Sequence, residues 1–307
     1  MHPLKGIALK ICSVITFITM ASLIKATAQH VPAGQAVFFR SVFALPVILA
    51  WLAVRGDLRT GLKAASPMGH FWRGFVGTAA MGLGFAGLGL LPLPEVTAIG
   101  YAAPLMTVIL AAMFLGEQVR LFRLGAVALG MVGVLIVLGP RLSAFSGDTV
   151  EKTAALGAML VLTGALCAAL AQIYIRKLVQ SEQTSAIVFY FSVTSASLSL
   201  LTLPFGWVLP TGQEAAFLVL AGLLGGMGQI FLTSAYRFAP ASVVAPFDYA
   251  SMLFAILIGM FFFNEIPDLR TIGGAALVIL AGVIIIWREH QLGLERGRAR
   301  RGMTPQG

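Results

Sequence analysis

Two ionisable side chains lie well inside long apolar stretches of this chain, where each needs a partner or a function. Arg40 falls within the stretch 34–54, and Asp248 falls within 240–263, two residues after Pro246. A charged group near the middle of a bilayer costs about 2.5–3.5 kcal/mol on insertion scales. Two interpretations stay open: a site for a solute or a proton, or a buried Arg40–Asp248 ion pair that only joins two helices.

Amide and phenol groups on other apolar stretches extend this set. Such groups need hydrogen-bond partners in hydrocarbon, and either a water-filled pathway or a neighbouring helix supplies them. Pro104 and Pro246 remove a backbone donor, so we expect kinks beside these groups. The candidates for substrate binding or coupling are Arg40, Tyr101, Pro104, Gln172, Tyr174, Gln229, Asp248 and Tyr249.

A glutamate closes two corresponding apolar stretches, Glu117 in the first half of the chain and Glu265 in the second. The helix dipole disfavours a carboxylate at a carboxyl end, so the recurrence indicates a basic partner. Arg120 or Arg123 stands near Glu117, and Arg270 near Glu265. We interpret both glutamates as parts of a gate or a structural clasp.

Three further charges have simpler explanations. Lys10 and Lys25 lie near opposite ends of the first apolar stretch, and their aliphatic stems allow the ammonium groups to reach the headgroups. Glu95 follows Pro94 at the start of another stretch, where a carboxylate caps a helix.

The composition excludes a water-soluble fold. The 307 residues are 58% hydrophobic and 11% charged, with a mean hydropathy of +0.92, whereas soluble domains carry about a quarter charged residues. A membrane span needs about 20 apolar residues. Ten stretches meet this length, at 5–27, 34–54, 70–90, 93–115, 121–139, 154–175, 185–207, 215–236, 240–263 and 270–287. Because lipid offers no partner to a bare backbone, the sequence predicts an all-α polytopic membrane protein.

The second half of the sequence repeats the first. Lys25 aligns with Arg176, and the run Phe38–Val42 with Phe189–Val193. After a shift of three residues, further positions align: Gly77 with Gly225, Tyr101 with Tyr249, and Glu117 with Glu265. A repeat of five spans must invert its second copy. We therefore predict two inverted five-helix repeats, residues 1–139 and 154–287, joined by a loop at 140–153 and followed by a basic tail at 288–307.

The distribution of Lys and Arg predicts the orientation. With the amino terminus inside, only Arg141, Lys152 and Arg270 fall in outer loops, and the other loops and the tail hold most of the 21 basic residues. The positive-inside rule then places both termini in the cytoplasm, in a multi-pass protein of the cell inner membrane.

An intramembrane enzyme is the rival class. The chain has only four histidines, none deep in a stretch, and no clustered acids with metal-ligand spacing. We therefore predict no enzymatic activity, no catalytic residues, no metal and no cofactor.

Several motifs together resemble the EamA-type branch of the drug/metabolite transporter superfamily. They are Phe39-Arg40-Ser41, Pro104 leading to Leu115-Gly116-Glu117, and Phe263-Asn264-Glu265. The resemblance covers residues 5–287 and implies ten helices, a central cavity from spans one, three, four, six, eight and nine, and alternating access. Met252 stands where the first repeat has Pro104, which leaves open whether both halves move alike.

Within that family, the stretch Pro246–Tyr249 and the arginine-rich tail are similar to bacterial riboflavin transporters. The resemblance implies a secondary transporter of a small metabolite, with riboflavin uptake as the first expectation. Export of amino acids or related metabolites, and a carrier for S-adenosylmethionine, are the alternatives. The expected partners are the metabolite and membrane lipid, with no nucleic acid, and a homodimer stays open.

Overall fold

The computed structural model describes residues 3–58, 60–115, 121–143, 149–178, 181–238 and 245–302, and no residue in these ranges forms a β-strand. The α-helices are α1 (Pro3–Thr27), α2 (Ala33–Val54), α3 (Pro67–Leu90), α4 (Leu93–Gly100), α5 (Ala102–Leu115), α6 (Leu121–Ser143), α7 (Thr149–Leu178), α8 (Thr184–Ser199), α9 (Gly212–Phe238), α10 (Ala250–Phe262) and α11 (Leu269–Gly302). Two 3₁₀ helices, Leu200–Phe205 and Ala245–Tyr249, extend α8 and precede α10. The all-α prediction is confirmed.

The helices reproduce the ten apolar stretches. Seven helical segments of the described chain are long and apolar enough to cross a membrane, and one of them, Leu93–Phe114, combines α4 and α5. The shorter apolar helices Phe247–Phe262 and Leu269–Ile285, together with the glycine-rich α3, complete the set. The protein is therefore a polytopic membrane protein. The helix α11 continues to Gly302, so most of the basic tail predicted at 288–307 is helical.

Two spans are interrupted at aligned positions. Tyr101 separates α4 from α5, and Tyr249 ends the 3₁₀ helix that leads into α10. The kink predicted at Pro104 thus lies three residues earlier than the proline itself, which is the third residue of α5. The cause is that a proline cannot donate to the carbonyl one turn before it, here that of Gly100.

Helix packing follows a two-fold pattern. The first span of each repeat packs along the third span of the other repeat, so that α1 packs along α9 and α7 packs along α3. α2 packs against α8, α4 against α10, and α6 against α11, so that each of these pairs joins aligned spans. A two-fold axis between the repeats produces this pattern, and the odd number of spans in each repeat makes them inverted.

Glycines permit the closest approaches between these helices. A Cβ atom added at Gly133 of α6 would lie 2.6 Å from the carbonyl oxygen of Gly274 of α11, and one added at Gly274 would lie 2.6 Å from that of Gly133. A Cβ atom added at Gly87 of α3 would collide with the side chain of Val161 of α7. Small residues at such contacts are typical of packing between membrane helices.

The two faces of the bundle are named after α1. The start side is the side on which α1 begins, and there the ammonium of Lys5 lies 4.6 Å from the ring centroid of Phe238, near the end of α9. The end side is the side on which α1 ends, and there Lys25 contacts the end of α3 through the carbonyl of Leu91.

Candidate functional site

The ion pair between α1 and the ninth span joins Lys10 to Asp248. The Lys10 Nζ atom lies 2.7 Å from Asp248 Oδ1. The Lys10 side chain is only 2% exposed, whereas 48% of the Asp248 side chain is accessible. The acid is therefore the accessible member of the pair, and the lysine is the buried one.

This pairing corrects the sequence interpretation in two places. Asp248 does not form the ion pair with Arg40 that the sequence allowed, because Lys10 occupies that position. Lys10 in turn does not extend to the headgroups, since its side chain is buried against the acid. A buried ammonium that pairs with a carboxylate avoids the cost of an isolated charge.

Hydrogen bonds through Tyr101 and Ser251 connect the two interrupted spans beside the acid. The Tyr101 hydroxyl lies 2.6 Å from Ser251 Oγ and 3.3 Å from the carbonyl oxygen of Tyr249. Ser251 Oγ donates to the carbonyl oxygen of Asp248 at 2.7 Å. The rings of Tyr101 and Tyr249 meet edge to face, with centroids 5.2 Å apart. These five residues, Lys10, Tyr101, Asp248, Tyr249 and Ser251, form what we call the central site.

Interrupted helices at the interface of inverted repeats are where carriers of this architecture bind their solutes. The central site lies at two such interruptions, and the sequence predicted three of its members, Tyr101, Asp248 and Tyr249. Their roles stay predictions. The site contains a cation, an anion and aromatic faces, so it can exchange ion-pair partners and stack on a planar ring.

A second group of contacts closes the end side between α1 and the segment after α10. Lys25 Nζ lies 2.9 Å from Glu265 Oε1 and donates to the carbonyl oxygens of Leu88 at 3.1 Å and Leu91 at 2.6 Å. Glu265 Oε2 accepts a hydrogen bond of 2.8 Å from the Leu93 backbone N–H. We call Lys25, Leu88, Leu91, Leu93 and Glu265 the end-side cluster.

The backbone before Glu265 directs it into this cluster. Asn264 has a φ of 55°, in the left-handed region that asparagine tolerates better than most residues. The partner expected for Glu265 was Arg270, and the structure shows Lys25 instead. The other predicted gate residue, Glu117, lies outside the described residues.

The remaining candidates are dispersed. Arg40 lies against Gly225 of α9 and the ring of Phe191. Gln229 lines a small space between α2, α8 and α9 with Trp51 and Thr184. Pro104 and Gln172 are exposed and Tyr174 is half-buried, and we place none of these three in the central site.

Glu95 also has a partner that the sequence did not indicate. Its two carboxylate oxygens accept hydrogen bonds from Arg141 Nε at 3.0 Å and Arg141 Nη2 at 2.6 Å. This bidentate pair joins α4 to α6 on the end side, within one repeat. It therefore differs from the end-side cluster, which connects the two repeats.

On the start side, a cavity of about 280 Å³ lies between α2, α8 and α9. Glu182 lines it and accepts a 2.6 Å hydrogen bond from the Ser66 backbone N–H, with His70 Nε2 at 3.3 Å. These contacts hold the start of α3 to the turn before α8. The cavity is separate from the central site.

Three residues of the central site and the end-side cluster were not predicted from the sequence. Lys10, Lys25 and Ser251 carry no motif, and the two lysines fitted an explanation by headgroup contact. One signal was present in the sequence. Lys10 and Lys25 lie 15 residues apart on α1, and Asp248 and Glu265 are separated by a similar 17 residues. Among the described residues, no three His, Cys, Asp or Glu side chains form a group that could hold a metal ion.

Comparison with known proteins gives a consistent result. The sequence profile of the EamA-like transporter family matches residues 4–139 and 155–288. The S-adenosylmethionine uptake transporter of Rickettsia prowazekii is 27% identical over 94% of this chain and 94% of its own length. The pseudopaline exporter of Pseudomonas aeruginosa is 29% identical over 91% of this chain and 95% of its own.

Two further matches agree. An uncharacterized transporter of Helicobacter pylori is 26% identical over 91% of this chain and 94% of its own length. A protein of known crystal structure superposes on 94% of this chain and 98% of its own, with a TM-score of 0.66 and 20% identity. At that identity the superposition shows the shared fold alone.

Proposed function

Because this chain belongs to the EamA-like transporter family, it is a membrane transporter of small metabolites and not an enzyme, and we propose that its substrate is S-adenosylmethionine. The observation that carries this proposal is the Lys10–Asp248 pair, whose accessible half is the acid. Four S-adenosylmethionine uptake transporters are among the relatives, each 27–29% identical to this chain.

The charge of S-adenosylmethionine suits the central site. The molecule has a permanent sulfonium charge, an amino-acid head and a planar adenine ring. Asp248 offers a carboxylate to the cationic group, and Lys10 offers an ammonium to the substrate carboxylate once the two side chains separate. The half-buried ring of Tyr249 offers an aromatic face to the adenine or the sulfonium.

Riboflavin, the first expectation from the sequence, is uncharged at neutral pH. It therefore has no charged group that could pair with the Asp248 carboxylate or the Lys10 ammonium. The relatives described above also give it no support, so we replace it by S-adenosylmethionine. Export of an amino-acid-like metabolite is the second candidate, because the pseudopaline exporter is about as similar to this chain as the uptake transporters are.

The proposed mechanism is alternating access about the central site. The repeats 1–139 and 154–287 rock against each other, and the interruptions at Tyr101 and Tyr249 absorb the change in helix direction. In the described conformation the end-side cluster joins the two repeats, so we assign a state closed on the end side.

We also propose the orientation that the charge distribution predicts. The start side then faces the cytoplasm of a bacterial cell, both termini lie there, and the protein resides in the inner membrane. In this orientation the end-side cluster is the external gate, and the described state is closed to the outside.

Counterflow in proteoliposomes tests the substrate. Vesicles that contain the purified protein and unlabelled S-adenosylmethionine are placed in a trace of the labelled compound, with riboflavin and an amino-acid mixture as parallel arms. We expect saturable accumulation of labelled S-adenosylmethionine only. The variant Asp248→Asn should lose it, and Glu95→Gln, which changes an acid outside the central site, should keep it.

Exchange of amino acids without exchange of S-adenosylmethionine would favour the exporter alternative. Exchange of riboflavin alone would contradict both and restore the first expectation from the sequence.

A further inference from the structure

Two arginines are buried in the bundle, and neither has an acidic partner among the described residues. Arg40 on α2 is 3% exposed and Arg73 on α3 is 7% exposed. For the Nε and Nη1 atoms of both side chains, no hydrogen-bond partner exists in the structure. A guanidinium has five N–H donors, so each side chain leaves part of its hydrogen-bonding capacity unused.

Both arginines lie against one aromatic ring, that of Phe191 on α8. The guanidinium carbon of Arg73 is 3.5 Å from the ring centroid of Phe191, and that of Arg40 is 5.5 Å away. A cation attracts a ring face by about 0.5–2 kcal/mol. That attraction does not satisfy N–H donors in the plane of the guanidinium, and it does not neutralise two like charges on one ring.

Glycines let the two guanidinium groups lie directly against helix backbone. A Cβ atom at Gly225 of α9 would lie 2.9 Å from Arg40 Nε, and one at Gly77 of α3 would lie 3.2 Å from Arg73 Nη1. Gly77 and Gly225 are aligned positions of the two repeats, as are Arg40 and Phe191. The first repeat thus places an arginine where the second places a phenylalanine, and the positive charge is confined to one half of the two-fold arrangement.

The energetics require a compensating group. An unpaired charge buried in protein costs several kcal/mol, and buried polar atoms that lack a protein partner usually hold a water molecule or an ion. Water would satisfy donors but would leave two positive charges facing one ring. The hydroxyl of Ser41, the residue after Arg40 on α2, is also buried without a partner among the described residues.

We propose that Arg40 and Arg73 bind a small monovalent anion beside Phe191, between α2, α3 and α8. The anion accepts hydrogen bonds from both guanidinium groups and neutralises one of the two charges. Both arginines are nearly inaccessible, so the ligand has the size of a chloride ion or a single carboxylate group. The site is independent of the central site, where Lys10 and Asp248 compensate each other.

The test is the thermal unfolding midpoint of the whole protein in lipid nanodiscs. Sodium gluconate is replaced stepwise by sodium chloride in one series and by sodium formate in another, at constant ionic strength. We expect the midpoint to rise and saturate in at least one series, because a ligand that binds only the folded state stabilises it. A rise with chloride identifies an inorganic anion, and a rise with formate alone identifies a carboxylate.

Two variants locate the effect. Arg73→Gln should abolish the rise, whereas Arg55→Gln should retain it, since Arg55 is an exposed arginine that stacks on Trp51 at the end of α2. If Arg73→Gln does not fold, Arg73→Lys keeps the charge but loses the planar fork, and the half-saturating anion concentration should increase at least tenfold. No anion-specific rise in the wild type, or a rise unchanged in Arg73→Lys and Arg73→Gln, would overturn the proposal in favour of hydrated arginines.

Discussion

Helix α1 carries two lysines that each pair with an acid of the ninth span or the segment after it, and the two pairs differ in accessibility. In the pair at the central site, Lys10 is 2% exposed and Asp248 is 48% exposed. In the pair at the end-side cluster, Lys25 is 11% exposed and Glu265 is 18% exposed. The distances are similar, 2.7 Å and 2.9 Å, so the accessibility of the acid distinguishes the pairs.

The surrounding hydrogen bonds differ in the same way. Lys25 also binds the carbonyls of Leu88 and Leu91, and Glu265 also binds the Leu93 N–H, so both charges of this pair are used to hold backbone ends together. The Asp248 carboxylate has accessible surface at which an incoming cation can compete with Lys10. We propose that the Lys10–Asp248 pair exchanges partners with a solute and that the Lys25–Glu265 pair fixes a conformation.

The largest effect is expected when the central pair is neutralised. In the double variant Lys10→Met/Asp248→Asn, no buried charge is left unpaired, so the protein should insert and fold. Loss of a charged contact costs about 2–5 kcal/mol, or about 30-fold or more in affinity, and counterflow of S-adenosylmethionine should fall to background. The matched variant Lys25→Met/Glu265→Gln should keep measurable exchange at a changed rate.

Equal loss of exchange in the two double variants, at equal membrane insertion, would remove the distinction between the pairs. Retained exchange in Lys10→Met/Asp248→Asn would show that the central pair is only structural.

The positions of the spans were predictable because the length of each apolar stretch, and the spacing between aligned residues of the two halves, can be read directly from the sequence. The stretch 34–54, for example, became α2 at Ala33–Val54. Tyr101 and Tyr249 were predictable as a related pair because they align within the repeat. Their edge-to-face contact places them at the two-fold interface of the bundle.

Ion-pair partners were not predictable to the same degree. Four acids and bases were assigned partners or roles from their neighbours in sequence, but Lys10, Lys25, Glu95 and Glu265 pair with charges 46 or more residues away. Three-dimensional packing decides such pairs, and a lysine stem long enough to reach the headgroups is also long enough to reach a neighbouring helix.

Removal of Lys25 should weaken the contact that closes the end side. Lys25→Met removes the ion pair that joins the two repeats, together with two hydrogen bonds within the first repeat, so the end side should open more often. In a background of Cys12→Ser and Cys167→Ser, a cysteine at Ser251 should then react several times faster with an impermeant thiol reagent added on the end side. Arg141→Gln is the matched control, because it breaks a bidentate pair on the same side but within one repeat.

An increase of the same size in Arg141→Gln would mean that any lost charge loosens the end side. The end-side cluster would then have no specific role as a gate.

A smaller effect is expected at the interrupted spans. Tyr101→Phe keeps the ring contact with Tyr249 and removes the hydroxyl that bonds to Ser251. The loss of one such hydrogen bond costs about 0.5–1.5 kcal/mol, so exchange should slow by several-fold and not disappear. Ser251→Ala should cause a similar change, and the double variant should lose less than the sum of the two, since both substitutions remove the hydrogen bond between Tyr101 and Ser251. Additive losses would assign Tyr101 and Ser251 separate roles.

The smallest effect concerns Asp268, an exposed acid on the end side that lies close to Glu265 in sequence but outside both ion pairs. Hydrogen bonds from Thr271 at the start of α11 lower the pKa of its carboxyl group, with Oδ1 accepting from the Thr271 N–H at 2.7 Å. A carboxyl group whose pKa is lower in the folded state stabilises the fold above its unfolded pKa, about 4, and this contribution is lost as the pH falls further. Asp268→Asn should therefore lower the unfolding midpoint slightly at neutral pH, by the equivalent of at most about 1 kcal/mol, and by less in acid. Substrate exchange should stay at the wild-type rate, and a loss of exchange would mean that the end side needs its acids for more than the contact between Lys25 and Glu265.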